Sequence, residues 1–517
     1  MPGYVSLNRN GCKLQGALCV LNAVGGVAPI LHSVPGCGVR VSHANGAFAC
    51  QCGGSYGVSC TDILEKQVIF GGTSRLREQI KNTVKIQRAD LYVVLSGCPA
   101  QIVGDDSEAM AKEAREQGYP VIHLGAPGFK GDSFGAYADV VTALLDAADG
   151  GGAVAVWSGG APTGPGDTSS GSGNTSGGPD DISGGPDDIS GGTGYTYADT
   201  GESIGVAPSV IDGVAQGSAA PSQAGGPGTM PAHPLVNVFG IDPCADPSWE
   251  GNLEALADLL RRLGFEYNPL FGRGSSVAHW GRAKTAAVNL AFGEQGLRIA
   301  RALEERYGKP YVHLGYLPVG VDGTGAVLGA LAGVFPEKDG ISQKVLSEER
   351  EKFLYHLGRL ETAYYTHHLQ REIALVGPGA VVAALGSFLW RRLGQVPVVA
   401  VVTDGAGAGA AGRGNVHGGA SLRSDDGCPL DWGNILGGAP VYFTEDGFEI
   451  QGILADATPE AILGSSLEEW ASVRGGIPFI PIAYPLGNHI VLRGATFGAE
   501  GILGFLEKFC NAILGRP

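Results

Sequence analysis

Three cysteines in the first hundred residues have the type and the setting of metal ligands. Cys37 follows the apolar run 28–31 in the sequence PGCG, and Cys98 follows the apolar run 91–95 in the sequence SGCPA. Cys60 lies between them in the sequence SCTD. A glycine-containing turn after a strand presents a thiolate together with backbone N–H groups, and iron–sulfur clusters need both soft thiolates and hydrogen bonds to sulfur. The alternative is three small buried residues, because free cysteine is often buried.

The other cysteines carry a weaker signal. Cys50 and Cys52 form a C-x-C upstream of Cys60, which would suit an exchangeable ligand, but a glycine-rich loop with incidental thiols is the favoured interpretation. The remaining five show no ligand spacing and are interpreted as core or surface thiols; they are Cys12, Cys19, Cys244, Cys428 and Cys510.

Two further features could bind a ligand but have simpler explanations. Gly377-Pro-Gly379 follows a strand pattern and precedes a helical one, yet residue 382 is valine where a dinucleotide fingerprint needs glycine. Its proline also removes an N–H donor, so a tight strand–helix turn is favoured. The sequence contains no G-x-x-x-x-G-K-[ST], so we do not expect the chain to hydrolyse ATP itself. His489 follows the run 479–482 in a loop that we expect to face a cleft at the ends of the predicted strands. A lone histidine is nevertheless more often structural.

Composition excludes several classes of function. The chain has 517 residues, 35 basic and 51 acidic, and a net charge of −16, which argues against a nucleic-acid or anionic-membrane surface. The sequence begins without a basic, apolar leader, and no apolar run approaches the roughly 20 residues that span a bilayer. We therefore expect a soluble, cytoplasmic protein whose ten cysteines are thiols or metal ligands rather than disulfides.

The elements that must position the cysteines follow an α/β pattern, in which short apolar runs alternate with helical patterns. We predict three Rossmann-like domains with doubly wound parallel sheets, at residues 1–148, 233–370 and 371–517. Residues 149–232 are rich in Gly, Ser, Pro and Asp and contain the tandem repeat SGGPDDI, which indicates a flexible insert. Strands are predicted at 28–31, 68–70, 91–95, 120–124, 235–240, 311–314, 372–377, 398–402, 448–454 and 479–482, and helices after Gly72 and at 253–263, 286–307, 380–393 and 499–514.

The sequences around the three cysteines resemble those of one family. HSVPGC at 32–37 resembles the HGxxGC segment of subunits of the nitrogenase component 1 superfamily. Cys60 followed by VIFGG at 68–72 resembles their second ligand and the VFGG helix start after it. Cys98 followed by IVGDD at 102–106 resembles their third ligand and the VIGDD motif.

The C-terminal part of the chain is similar to the ending of the β-type subunit in the same superfamily. The matching segments are GSS at 464–466, IPFIPI at 477–482 and TFGAEG at 496–501. The resemblance covers essentially everything except the glycine-rich insert.

This resemblance implies a fold of three Rossmann-like domains and an α2β2 complex with a homologous α-type subunit. Cys37, Cys60 and Cys98 would be this chain's share of an interfacial P-cluster, an iron–sulfur cluster held by cysteines of both subunits. A separate ATP-dependent iron protein would deliver electrons to that cluster, which agrees with the missing phosphate loop.

Two departures from the family pattern narrow what the resemblance implies. Phe292 lies near the position of the α-type cysteine that holds the active-site cofactor, so the partner would hold that cofactor. Gly128 replaces the serine that assists the oxidised P-cluster in some β subunits. The compact interval from Cys60 to Cys98 and the short N-terminal part favour a nitrogenase-like reductase, such as methylthio-alkane reductase, which cleaves C–S bonds. The alternatives are a β chain for dinitrogen reduction and a non-catalytic scaffold for cofactor assembly.

Overall fold

The protein folds around three parallel β-sheets covered by helices. The computed structural model describes residues 9–43, 58–149, 233–404, 430–487 and 489–515. Pairings between neighbouring strands in these ranges are parallel throughout. The predicted insert falls outside the described residues except for its first residue, Asp149. The C-x-C pair of Cys50 and Cys52 also falls outside them. The three-sheet α/β architecture agrees with the predicted fold class.

The first sheet has the strand order β2-β1-β3-β4. Strands β1 and β3 are completely buried, as expected for continuous apolar runs covered on both faces. The elements are α1 (Lys13–Asn22), β1 (Val27–His32), α2 (Pro35–His43), β2 (Ser59–Cys60), α3 (Glu65–Phe70), α4 (Thr73–Ile86), β3 (Leu91–Ser96), α5 (Cys98–Val103), α6 (Ser107–Glu116), β4 (Val121–Gly125) and α7 (Ala136–Asp149), with a 3-10 turn at Gly128–Lys130.

The second sheet has the order β6-β5-β7-β8. Its elements are β5 (Leu235–Phe239), α8 (Trp249–Arg262), β6 (Glu266–Tyr267), α9 (Val277–Ala283), β7 (Val288–Phe292), α10 (Gly293–Tyr307), β8 (Tyr311–Leu314), α11 (Gly320–Val334) and α12 (Asp339–Thr366), with a 3-10 turn at Pro336–Lys338.

The third sheet has the order β11-β10-β9-β12-β13. Its elements are β9 (Glu372–Gly377), α13 (Gly379–Leu393), β10 (Val396–Val402), α14 (Trp432–Ile435), β11 (Val441–Phe443), α15 (Gly447–Ala457), β12 (Ala461–Gly464), α16 (Glu469–Gly475), β13 (Phe479–Pro481) and α17 (Gly498–Leu514).

Three predicted elements are wrong. Residues 68–70 belong to helix α3, where these apolar side chains are exposed rather than buried in a strand. Residues 448–454 lie in helix α15, because only Ile450 and Leu454 are buried there, at i, i+4 spacing, and Asp446 caps the helix start. The helix predicted over 286–307 begins only at Gly293, since the preceding apolar run forms strand β7.

One apolar core connects the three sheets. It extends from Leu14 in α1 to Ile513 in α17 and includes buried side chains of all three sheets. A buried ion pair between Arg9 and Glu468, with a distance of 2.7 Å, joins the start of the described chain to the third sheet. The first sheet is therefore packed into the same core as the other two. Among the described helices, none is long and apolar enough to cross a membrane.

Candidate metal centre

The three predicted ligand cysteines lie at one edge of the first sheet. Cys60 is the last residue of β2, Cys98 is the first residue of α5 after β3, and Cys37 lies in the first turn of α2 after β1. Strand β1 pairs in parallel with both of its neighbours, which aligns Leu31 with Cys60 and His32 with Ser96. The carboxyl ends of these strands therefore meet at one edge, where ligands of parallel sheets bind. All three cysteines are partly buried, and Cys37 and Cys98 lie in helical first turns rather than in open turns.

The end of β1 ties the cysteine segments together through its backbone. The carbonyl of His32 accepts a hydrogen bond from the N–H of Gly97, directly before Cys98, at 3.0 Å. The carbonyl of Leu31 accepts one from the N–H of Thr61, directly after Cys60, at 2.9 Å. The relative positions of Cys60 and Cys98 are thus fixed by the strand that leads to Cys37.

Cys60 is enclosed by the chain that leads to Cys37. Its Sγ lies 3.6 Å from the carbonyl oxygen of Ser33 and 3.8 Å from that of Val34. A Cβ at Gly38 would lie 3.3 Å from the same Sγ, so a larger residue there would crowd the sulfur. Burial raises the pKa of the Cys60 thiol to about 11, which favours the neutral thiol when no metal is bound.

Cys98 receives a backbone hydrogen bond and has a cysteine neighbour. The N–H of Gly128 donates to Cys98 Sγ at 3.1 Å. A Cβ at Gly128 would lie 3.6 Å from that Sγ and 3.0 Å from the Cβ of Cys12. Cys12, which is exposed just before α1, is held beside this turn by an antiparallel bridge to Asp132.

Cys12 is the residue that sequence reasoning missed. It was interpreted as an ordinary thiol because it lacks local ligand spacing. The structure places it beside the turn that contacts Cys98, through a contact between residues more than a hundred positions apart in sequence. The feature of the sequence that marks Cys12 is its position one residue before helix α1, which packs against strands β1 and β3 of the first sheet.

A buried histidine and a carboxylate lie behind the cysteines. His32 Nε2 lies 3.0 Å from Asp105 Oδ2, and His32 Nδ1 lies 3.0 Å from the Thr61 hydroxyl oxygen. The other oxygen of Asp105 accepts the N–H of Gly72 at 2.8 Å. Burial lowers the pKa of His32, although Asp105 acts in the opposite direction, so the ring is neutral at neutral pH. The next residue, Asp106, caps α6 by accepting the N–H of Ala109 at 2.9 Å.

The arrangement of these cysteines suits a multi-iron group rather than a single metal ion. In the ranges that the structure describes, no three Cys, His, Asp or Glu side chains come close enough to share a single metal ion. Cysteines on three adjacent segments instead suit a multi-iron group with bridging sulfides. The Ser33 hydroxyl is buried beside Gly97 with no hydrogen-bond partner among the described residues, and could donate to such a sulfide. Together with the N–H of Gly128, it makes the site fit an iron–sulfur cluster.

The segments that carry the cysteines also expose large apolar side chains to solvent. Phe70 is 80% exposed, and an exposed phenylalanine at such a site indicates a binding surface. We call the set of these residues the apolar rim; its members are Val39, Leu64, Val68, Ile69, Phe70, Ile102 and Phe129. Val39 belongs to α2 and Ile102 to α5. Leu64 directly precedes α3, which contains Val68, Ile69 and Phe70. Phe129 lies in the 3-10 turn at Gly128–Lys130. Helix α3 contacts α5, so the rim follows the cysteine edge.

The other residues singled out in the sequence, Gly379, Phe292 and His489, have a structural role or no defined role in the structure. The N–H of Gly379 donates to Asp404 Oδ1 at 3.2 Å, so a carboxylate of the chain occupies the start of α13 that a phosphate would need. Phe292 is fully buried at the end of β7, where its side chain fills the core. His489 packs on Phe479 with a ring distance of 5.5 Å, and its Nε2 lies 3.6 Å from Glu469.

Comparison with known proteins identifies the family. The model for nitrogenase component 1 type oxidoreductases matches residues 12–514, so the chain belongs to this family. A solved structure of nitrogenase Cp1 at pH 6.5 has the same fold, with a TM-score of 0.66 and 15% identity over 100% of this chain and 94% of that one. The nitrogenase molybdenum-iron protein beta chain of Frankia alni is 22% identical over 97% of this chain and 81% of its own length. The predicted membership of the superfamily and the β-type resemblance are confirmed.

Two shorter matches concern other members of the family. The nitrogenase iron-molybdenum cofactor biosynthesis protein NifE of Clostridium pasteurianum is 30% identical over 27% of this chain. The nitrogenase molybdenum-iron protein alpha chain of Methanosarcina barkeri is 30% identical over 26% of it. These alignments span 31% and 26% of the two relatives, less than a third of either.

Proposed function

We propose that this chain is the β-type subunit of a nitrogenase-like reductase and holds half of an interfacial P-cluster-type iron–sulfur cluster. The observation that carries the proposal is the coincidence of two features on one sheet edge. Cys37, Cys60 and Cys98 converge there, and the apolar rim surrounds the same segments. A half-cluster needs both, because its other ligands must come from a subunit that covers this edge. The α-type subunit is the proposed partner, in an α2β2 complex in the cytoplasm.

In this proposal the chain relays electrons and leaves substrate chemistry to its partner. When bound, the cluster accepts electrons from an ATP-dependent iron protein and gives them up toward the partner's cofactor. The N–H of Gly128 and the hydroxyl of Ser33 would stabilise negative charge on sulfur, which raises the reduction potential. By the family resemblance, Phe292 lies near the position of the α-type cofactor cysteine, which supports placing the cofactor in the partner.

The third thiolate of this half-site has two candidates. The family resemblance assigns it to Cys60, and the position of Cys12 beside Gly128 makes Cys12 the second candidate. The Cys60 Sγ faces the backbone carbonyls of Ser33 and Val34, while Cys12 is exposed beside the turn that contacts Cys98. The complex should be purified anaerobically with Cys12→Ala or Cys60→Ala, and its iron and its electron paramagnetic resonance signal measured. The variant that loses the cluster identifies the ligand, and retention of the full signal by both would remove both residues from the ligand set.

The proposed division into domains follows the sheets. Strands of the three sheets lie within 27–125, 235–314 and 372–481, which supports domains at residues 1–148, 233–370 and 371–517 and an insert at 149–232. Limited proteolysis should cut first within the insert and leave fragments that begin or end close to these bounds. Rapid cleavage within one of the three sheets would contradict the division.

For the substrate we propose reductive C–S cleavage of small methylthio compounds, with dinitrogen reduction as the alternative reaction. The purified complex should be given its iron protein, ATP and a reductant, and offered dimethyl sulfide or dinitrogen. Formation of methane and methanethiol supports C–S reduction, and ammonia supports the alternative.

A cofactor-assembly scaffold is the rival function of another class, and the NifE match gives it a specific basis. Turnover of neither substrate, together with transfer of a cluster to an acceptor protein, would support the scaffold. The full set of cysteines at the sheet edge favours the reductase.

A further inference from the structure

The buried pair of His32 and Asp105 connects the end of β1 with the segments that follow β2, α3 and α5. The side chain of His32 is fully buried and that of Asp105 is 4% exposed. Asp105 accepts the His32 Nε2–H with one carboxylate oxygen and the Gly72 N–H with the other. Since the neutral ring then presents Nδ1 as an acceptor, the hydroxyl of Thr61 donates to it.

The hydrogen bonds of this pair reach two parts of the site, the segment before Cys98 and the turn after α3. His32 ends strand β1, and its carbonyl holds Gly97 immediately before Cys98. Asp105 follows α5, the short helix that Cys98 begins, and Gly72 follows α3, whose last residue is the exposed Phe70. Gly71 lies between Phe70 and Gly72 and has φ +87°, which glycine adopts readily, so the chain turns sharply before the amide that Asp105 accepts. One carboxylate therefore contacts both the turn after α3 and the histidine that ends β1.

We infer that His32 and Asp105 are positioning residues that couple the partner-facing helix α3 to the cysteine edge. This inference rests on the proposed function, because the coupling matters only if a partner covers the apolar rim. Asp105 fixes the turn behind Phe70 and the end of β1 at the same time. Docking on α3 therefore changes the placement of Cys37 and Cys98, and with it the potential of a cluster they hold.

Substitution at Asp105 tests the coupling, and its neighbour provides the control. Asp105→Ala removes both hydrogen bonds. Asp105→Asn can keep both, because its carbonyl accepts from Gly72 while its amide donates to the other tautomer of His32. Asp106→Ala makes the same change one position along, where the carboxylate only caps α6. The three variants separate the loss of positioning from the loss of a charge.

The first readouts use the chain without a cluster. Amide exchange at Gly72 should accelerate roughly ten- to hundredfold in the Asp105→Ala variant, because a hydrogen bond to a charged acceptor is lost. Alkylation of Cys37 and Cys98 by iodoacetamide should also accelerate, while the Asp105→Asn and Asp106→Ala variants stay close to the wild type. Unchanged exchange and alkylation in Asp105→Ala, or equal changes in Asp106→Ala, would overturn the inference. If Asp105→Ala does not fold, Asp105→Ser takes its place, because its shorter side chain cannot hold both Gly72 and His32, and unchanged Gly72 exchange in that variant overturns the inference.

The assembled complex then distinguishes this inference from the function on which it rests. In the wild-type complex, the midpoint potential of the cluster should differ from that of the Asp105→Ala variant and match that of Asp106→Ala. Equal potentials in all three would overturn the coupling while leaving the cluster assignment intact. A wild-type complex that binds no iron would contradict the proposed function, and the exchange and alkylation results would still decide whether Asp105 positions the cysteine segments.

Discussion

The apolar rim makes a quantitative prediction about partner binding, which two isoleucines can test. Ile69 in α3 is 72% exposed within the rim, and Ile86 at the end of α4 is 85% exposed. Helix α4 has 14 residues and runs away from the cysteine edge, so Ile86 lies about 20 Å from its start. The same substitution, isoleucine to alanine, can therefore be made inside the rim and far from it.

The expected effect follows from the area that remains to be buried. Full burial of an isoleucine side chain contributes about 1.5–3 kcal/mol, and most of the Ile69 side chain is still exposed in the free chain. Ile69→Ala should then weaken association with the α-type subunit by about 1–2 kcal/mol, roughly five- to thirtyfold in Kd. Neither variant should change the stability of the free chain by more than about 0.5 kcal/mol.

Sedimentation or interferometry with the purified partner would measure the two dissociation constants. A selective loss in Ile69→Ala is the result that the rim requires. Equal affinities of Ile69→Ala and Ile86→Ala for the partner would refute the conclusion that the rim is the docking surface.

Two further predictions concern packing and pH. A Cβ at Gly97 would lie 2.5 Å from the Ser33 Oγ, so Gly97→Ala should cost about 1–3 kcal/mol of unfolding free energy and lower the iron content of the complex. Gly36→Ala is the control, because a Cβ at Gly36 meets nothing within 4 Å. Equal losses in the two variants would refute the steric account. Burial raises the pKa of Asp246 to about 6, above an unfolded value of about 4. The folded state therefore binds this proton more tightly, and the resulting stability is complete below pH 4 and is lost as the pH rises through 6. Urea unfolding from pH 4 to 7 should show this loss, and Asp246→Asn should remove this component of the slope; an unchanged slope would contradict the assignment.

The fold was predictable where burial dictates the pattern. Strands β1 and β3 read as continuous apolar runs because both faces of the sheet are covered. The same logic fails for residues 68–70, whose apolar side chains are exposed on α3. A single sequence does not distinguish an apolar residue that packs inside the chain from one kept for a partner.

The site was predictable only in its local parts. Cys37 and Cys98 are marked by the strands before them, whereas Cys12 reaches the site through a contact distant in sequence. Asp105 stands directly before the helix cap Asp106, and its bonds to His32 and Gly72 depend on the packing of three segments. Tertiary contacts of this kind leave no periodic signal in the sequence.

The central claim is that this chain contributes thiolates to a cluster shared with a partner, and Cys98 tests it most directly. Iron and acid-labile sulfide should be counted, and the resonance signal recorded, in complexes of the partner with the wild-type chain, with Cys98→Ala and with Cys510→Ala. Cys510 is buried in α17 and serves as the control thiol. Loss of iron, sulfide and signal in Cys98→Ala alone is the predicted result. A full complement of iron and an unaltered signal in that variant would contradict the claim.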